Sequence, residues 1–482
     1  MAIHLPTKAI PPADRTQLLA ERVDSRSVLP TDPPELRAAR PLLPWDDLSG
    51  SGGLHSVYQP FIDLDTGEVL AHEALLRGPA GTVWESPLIL LATAADAGRL
   101  LELELCSIRS ALTGAARLSG GHPTTLFVNV EPSTLTRHTD VVIEALAKRA
   151  GTIQVVVEIT ERALAADVAG VLAGAERLRA AGCAIALDDV GIEPESLAFI
   201  PLLRPEVVKL DLALLRTTSD PDTITVTGAV RAYAEECGAE VVAEGIETSA
   251  DLTRAQVLGA TLGQGWWWGR GERRLAVASY SPERFAARPI GLTLHSTPYD
   301  LIESKRRLRR APKRLLLPIS HTLEANALLA HIPPVLLATF EHAQFFSAAT
   351  AARYARLAAR LPLVCALGQE MPRSPAPGVR GASLSAQDAL VSQWTVVILG
   401  AHQSVALIAR DLGDQEVDRD REFEFVLTYD RVLVTAAAHA LIGRIAPATG
   451  TLGPLPSQRT TSADTRAAQA AGQRHDRSID IG

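Results

Sequence analysis

From Leu54 to about Ala287 the sequence alternates between short apolar or β-branched runs and amphipathic stretches of helical length, a rhythm that few folds accept. Strands are expected at Ser56–Leu64, Val69–Leu76, Thr125–Val130, Gln154–Ile159, Ala184–Asp188, Val207–Leu210, Val241–Ala243 and near Thr261–Gly265. Asp65-Thr66-Gly67 is a turn signal that joins the first two as a hairpin. Helices are expected between the others, among them Pro87–Thr113 and Ala166–Ala181, the second stopped by Gly182. Repeated strand–helix units of this number predict an α/β fold, a TIM-like (β/α)8 barrel with helices outside and an antiparallel first strand.

Barrels of this kind gather their chemistry where strands end and loops begin. Glu73, Asn129, Glu158, Asp188 with Asp189, Lys209 with Asp211, Glu244 and Gln264 stand at the ends of successive expected strands. Taken singly, a glutamate at a strand end is usually a solvated residue, and an Asp-Asp pair is more often a turn or a helix cap. A lysine inside the apolar strand Val207–Leu210 is less ordinary, because a buried ammonium needs partners. Their joint occurrence on strand after strand points to one rim. A ring of carboxylates repels itself unless hard cations neutralise it. Oxygen ligands without cysteine or clustered histidine select Mg²⁺ or Mn²⁺, and two such ions about 4 Å apart can clamp a phosphodiester.

The net charge of -8 argues against binding to nucleic-acid polymer, which needs a basic face. A small phosphorylated ligand fits an acidic pocket once metal ions are present. Cys106, Cys183, Cys237 and Cys365 are scattered without a CxxC pair, so neither structural zinc nor a disulfide framework is expected. No apolar h-region opens the sequence and no apolar run reaches membrane-spanning length, which reads as a cytoplasmic protein. Residues 1–53 and 446–482 are rich in Pro, Ser, Arg and Gly without periodicity and are expected to be a flexible leader and a disordered tail.

Glu73-Ala74-Leu75 stands within Tyr58-Gln59-Pro60, Thr66-Gly67-Glu68 and Glu73-Ala74-Leu75-Leu76-Arg77, and the later strand ends follow in order. Over about Leu54 to Arg270 this resembles the EAL-domain family of cyclic di-GMP phosphodiesterases. The resemblance implies hydrolysis of cyclic di-GMP to linear pGpG with two Mg²⁺ or Mn²⁺ ions per site. It implies Glu73, Asn129, Glu158 and Asp188 as primary metal ligands and Asp189 for the second metal. Lys209 would orient or activate the attacking water, Glu244 is the essential glutamate of Glu244-Gly245-Ile246-Glu247, Glu247 a supporting acid, and Gln264 lies near the water. Gln59 and Arg77 would contact the nucleotide, and Glu161 would anchor the loop after the fifth strand. Dimerisation through the barrel is implied as well. The sequence departs from the family after Asp188-Asp189: it reads Val190-Gly191-Ile192-Glu193-Pro194-Glu195-Ser196-Leu197 where the family has Phe-Gly-Thr-Gly-Tyr-Ser-Ser-Leu. That departure leaves a second reading open, a weakened EAL domain acting as a cyclic di-GMP receptor or interaction module.

A second α/β block is expected over 293–445. It opens with a basic helix, Tyr299–Arg310, and mixes helices Leu323–Ile332 and Ala348–Leu361 with strands Val335–Phe340, Leu363–Leu367, Trp394–Leu399, Val405–Asp411 and Phe423–Leu427, closing on a helix, Tyr429–Ile445. Through Ile319-Ser320-His321-Thr322-Leu323-Glu324, Phe340-Glu341 and Thr428-Tyr429-Asp430 it resembles the DICT sensory domain, which implies an input signal of unspecified nature.

Overall fold

The computed structural model describes residues 53–446 apart from 161–163, 165–166, 192–193, 212–220, 292–295 and 414–416. The expected leader and tail, Glu161, and Ile192 and Glu193 of the altered loop therefore lie outside the described residues.

Eight strands close a barrel in sequence order: β1 His55–Asp63, β2 Val69–Arg77, β3 Thr124–Asn129, β4 Ile153–Thr160, β5 Ala184–Val190, β6 Val207–Leu210, β7 Glu240–Ala243 and β8 Leu262–Gly263. β1 pairs antiparallel with both β2 and β8, and the other neighbours are parallel. The β1–β2 hairpin turns as expected, with Asp63 Oδ1 accepting from the N–H groups of Asp65 and Thr66 at 3.0 and 2.8 Å.

Side chains alternate along each strand, so the barrel has two apolar layers. Val155, Val157 and Ile159 of β4 face outward onto the helices. Val156 faces inward, where Phe61, Ala71, Phe127, Ala186, Val207, Val242 and Leu262 fill the interior with it. Phe61, Phe127 and Phe285 interlock there, with ring centroids 4.5 and 5.5 Å apart.

The covering helices are α1 Pro87–Asp96, α2 Leu100–Leu118, α3 Pro132–Ala147, α4 Val168–Ala180, α5 Ile200–Leu203, α6 Pro221–Cys237 and α7 Ser249–Val257. The single helix expected over Pro87–Thr113 is two helices. Gly98 takes φ +67° and the Arg99 N–H returns to Ala94 O at 2.8 Å, which closes α1 before α2 begins. Gly182 ends the α4 region as expected, at φ +78°.

The second domain is a seven-stranded sheet in the order β12-β11-β10-β13-β14-β15-β9. Its strands are β9 Arg309–Pro312, β10 Val335–His342, β11 Val364–Gln369, β12 Arg380–Leu384, β13 Gln393–Leu399, β14 Ser404–Asp411 and β15 Glu422–Thr428. Its helices are α8 Pro298–Glu303, α9 Lys313–Leu328, α10 Ala348–Ala358 and α11 Arg431–Ile442. α9 and α10 pack on one face through Leu323, Ala327, Tyr354 and Leu357, and α8 and α11 cover the other. The basic helix Tyr299–Arg310 is not formed. Thr297 caps α8 in a capping box with Asp300, but the charged stretch after Glu303 offers no apolar stripe to extend it. Arg309–Pro312 instead pairs with β15 as a charged edge strand, Arg310 opposite Glu424.

α11 is buried on nearly every side, from Leu433 to Ile442. One side lies on its own sheet and another meets α5 of the barrel, so a single apolar core runs through both domains. Among the described residues no helix is long and apolar enough to cross a membrane.

Beneath the barrel helices Arg179 Nε lies 2.9 Å from Glu206 Oε1, with both side chains 1% exposed. Glu206 also accepts from the N–H groups of Ile185 and Arg288, each at 2.8 Å. Arg179→Ala would strand that carboxylate in the interior and should cost about 3–5 kcal/mol. A urea titration of the two proteins reads this as a lowered midpoint at unchanged slope. An unchanged midpoint would show that the pair carries no load.

Candidate active site

The polar residues of the expected rim form an interior layer. Each stands two residues beyond an inward-facing apolar residue of the same strand: Glu73 after Ala71, Asn129 after Phe127, Glu158 after Val156, Asp188 after Ala186, Lys209 after Val207, Glu244 after Val242 and Gln264 after Leu262. A period of two keeps them on the barrel side. β1 runs the other way, so its contribution is Gln59, two residues before Phe61. The layer is deepest around Lys209, with Glu158 and Lys209 1% exposed, Gln264 4% and Glu73 6%, while Gln59 and Glu244 are half-buried and Asn129 is exposed.

Lys209 sits at its centre. Nζ lies 2.7 Å from Glu158, 2.8 Å from Glu244, 3.1 Å from Asp188 and 3.7 Å from Glu73. Gln264 Nε2 donates to Glu73 Oε2 at 2.7 Å and reaches Gln59 Oε1 at 3.4 Å, while Asn129 Nδ2 donates to Glu73 Oε1 at 3.1 Å. Asp189 joins through the backbone. β5 carries one extra residue between Leu187 and Val190 relative to β6, a bulge, and Asp189 takes φ +60°. On a regular strand Asp188 and Asp189 would point to opposite faces. Here oxygens of Asp188, Asp189 and Glu244 all lie within 4.8 Å of one another.

One ammonium cannot neutralise these carboxylates. Burial raises Glu158, the Glu73 charge adds to it, and Lys209 only partly offsets them, so its pKa stands well above the usual range. Burial likewise raises Glu244, against Lys209 and with Asp188 and Glu73. Burial also pushes Glu73 up, but Lys209, Gln264 and Asn129 outweigh it and hold Glu73 low. Desolvation would discharge Lys209, yet its four carboxylates win and raise it well above an ordinary lysine. Neither oxygen of Glu158 accepts a well-aligned hydrogen bond, although Lys209 stands beside one of them. A layer of oxygen donors short of positive charge is chemically suited to hard divalent cations, which Glu73, Asn129, Glu158, Asp188, Asp189 and Glu244 could hold.

Arg77 is half-buried at the end of β2, with Nη1 donating to Leu76 O at 2.8 Å. Glu247 stands at the entry to α7, its N–H donating to Asp251 at 3.3 Å. The three tryptophans separate: Trp268 packs on the core, Trp267 is 43% exposed, and Trp266 carries the Arg270 guanidinium 4.3 Å over its ring.

One buried acid escaped the sequence reading. Glu104 of α2 accepts from the Glu131 N–H at 2.5 Å and so pins the turn two residues beyond Asn129. Its signal was available: Glu104, Ile108 and Ala111 follow helical spacing on the buried stripe. The Leu101–Leu105 alternation disguised it.

Comparison with known families agrees with this geometry. Residues 46–271 match the EAL domain, and residues 299–412 match the DICT domain, described as a sensory domain in diguanylate cyclases and two-component systems. The barrel thus matches the EAL domain, and most of the second domain matches the DICT domain. Curated relatives include the cyclic di-GMP phosphodiesterase PA2567 of Pseudomonas aeruginosa, 32% identical over 228 residues, covering 44% of this chain and 38% of that protein. The cyclic di-GMP phosphodiesterase RocR of the same organism is 29% identical over 240 residues, covering 46% and 58%. The chain spans less than two thirds of either relative. Among solved structures, the manganese/cy-diGMP complex of Klebsiella pneumoniae BlrP1 aligns at 25% identity with a TM-score of 0.41, over 54% of this chain and 67% of that one.

Two outcomes are expected. Mn²⁺ at a hundredfold excess over its dissociation constant should raise stability by about 2.7 kcal/mol. Asp188→Asn combined with Glu244→Gln should remove that rise. Thermal unfolding with and without metal checks this, and a melting point that Mn²⁺ leaves unmoved in the unaltered protein would rule the cation site out. The second concerns pH. Burial pushes the Glu104 carboxyl up to about 8 from 4.5. Between those values the unfolded chain has released a proton that the folded one keeps, so stability falls as pH rises, by at most roughly 1.4 kcal/mol per pH unit. Glu104→Gln should lose that slope, and melting curves at intervals from pH 5 to 8.5 measure the difference.

Proposed function

We propose that the barrel is a phosphodiesterase that opens cyclic di-GMP to linear pGpG with the help of two Mg²⁺ or Mn²⁺ ions. The observation that carries this reading is the polar layer itself, in which each of the eight strands, at or just past its end, delivers one polar side chain to a single site around the buried Lys209. The family match to an EAL domain and the similarity to the cyclic di-GMP phosphodiesterases PA2567 and RocR support the same substrate.

When bound, the cations supply the positive charge that the carboxylates lack, and they lower the pKa of water for attack on phosphorus. Glu73, Asn129, Glu158 and Asp188 would hold one ion. Asp189, brought round by the bulge, would serve the second. Lys209 keeps its proton because its carboxylates hold it. It therefore acts as a fixed donor that orients water or phosphate oxygen. Glu244 accepts the proton of the attacking water, and Gln264, anchored on Glu73, positions it. Gln59 and Arg77 contact the nucleotide, while Glu247 steadies the segment after Glu244. The phenylalanine floor below the layer excludes bulk water and strengthens every electrostatic contact above it.

Incubation with cyclic di-GMP and Mn²⁺, followed by chromatography, should yield pGpG. Glu244→Gln should lower turnover by about 10²–10⁴-fold while nucleotide binding persists. Nucleotide bound without any pGpG from the unaltered protein would instead leave a receptor, and full turnover by the variant would overturn the assignment of Glu244.

A further inference from the structure

We infer that the DICT domain controls the EAL site through a direct joint, α11 against α5, with His439 as the positioning residue at its centre. This rests on the active-site reading above and adds its regulation.

The joint begins at the metal-bearing strand. β5 ends with Asp188, Asp189 and Val190, and the chain then runs through a 3-10 turn at Pro194–Phe199 into α5. Leu197, Ala198, Phe199, Ile200, Leu202 and Leu203 are all buried, so this segment has no slack against solvent. α5 is a single turn that ends at Arg204 in the left-handed region, φ +49°. Such a turn leaves carbonyls without helical partners. Two come from the barrel side: Arg179 Nη2 donates to Leu203 O at 3.0 Å and to Arg204 O at 2.9 Å. The third comes from the other domain, where His439 Nε2 meets Leu202 O at 2.9 Å. His439 is 2% exposed, and burial lowers its pKa to about 4. The ring is neutral at ordinary pH, and a neutral ring with Nε2–H is the donor this carbonyl requires.

A second tie lies beside the first. Arg431 at the start of α11 holds Gly400 O and Ala401 O at 3.0 and 2.8 Å, and its Nε lies 3.7 Å from Glu236 of α6. Beside Arg431 is a pocket of about 190 Å³, walled by Leu197, Ile200, Pro201 and Tyr233 of the barrel and by His402 and Arg431 of the second domain. The two domains therefore share one apolar core at α11 and α5, with a pocket left at its edge. A packed interface with a void has room for a second arrangement. Any shift of α11 pulls on Leu202 and, through Leu197–Leu203 packed against β5, on the strand end that carries Asp188 and Asp189.

Amide hydrogen exchange on the full chain tests this without substrate or metal. His439→Ala should speed exchange about tenfold over residues 194–203, the size of losing one buried hydrogen bond. The speeding should extend to residues 188–191, while β2 and β3 keep their protection. His439→Gln retains an N–H donor and should restore part of it. Arg431→Ala, on the surface side of the joint, should act in the same direction more weakly. Where turnover is measurable, His439→Ala should change it by several-fold, with Glu244→Gln as the inactive reference. Unchanged exchange at residues 188–191 in a variant whose residues 194–203 have loosened would overturn the coupling. Loss of protection across the whole barrel would overturn it too, as a general stability effect. Absent turnover with coupled exchange would count against the phosphodiesterase reading alone.

Discussion

Lys209 is the residue on which the site depends. An ammonium at 1% exposure survives only because four carboxylates surround it, and those carboxylates survive only because it is there. The arrangement is short of positive charge, and burial together with the neighbouring carboxylates pushes Glu158 and Glu244 well above the usual carboxylate range. The same deficit is what makes the layer receptive to hard cations. A structural ion pair would balance itself.

The barrel and its site were legible for one reason. Apolar strand runs alternate with helical stretches through residues 54–287, and a polar residue stands at or near the end of each run. Placing Glu73, Asn129, Glu158, Lys209, Glu244 and Gln264 together needed only strand order. Their depth was not legible. The sequence marks them as strand ends, whereas the barrel turns those ends into an interior layer above Phe61 and Phe127. Nor was the approach of Asp189 to Asp188 readable from alternation, because a bulge and a left-handed φ override it. Glu104 was hidden by an alternating Leu-Glu run that imitates a surface.

In the second domain the apolar strands Val335–His342, Gln393–Leu399 and Ser404–Asp411 announced themselves. The edges did not. β9 reads Arg309-Arg310-Ala311-Pro312 and β12 reads Arg380-Gly381-Ala382-Ser383-Leu384, neither with the apolar weight of a strand. Both are recruited by a partner strand already in place, β15 and β11. Edge strands answer to their neighbours more than to their own propensity.

α11 is the last of the described elements to leave the ribosome, and it completes two cores at once. Until it emerges, the barrel shows an apolar face around α5 and the nascent sheet shows another. Vectorial synthesis therefore exposes both at the same time, a window in which nascent chains stick to one another and recruit holdase chaperones. Once α11 docks, the two halves should melt as a single cooperative unit, and heat should find no stage at which one domain outlives the other.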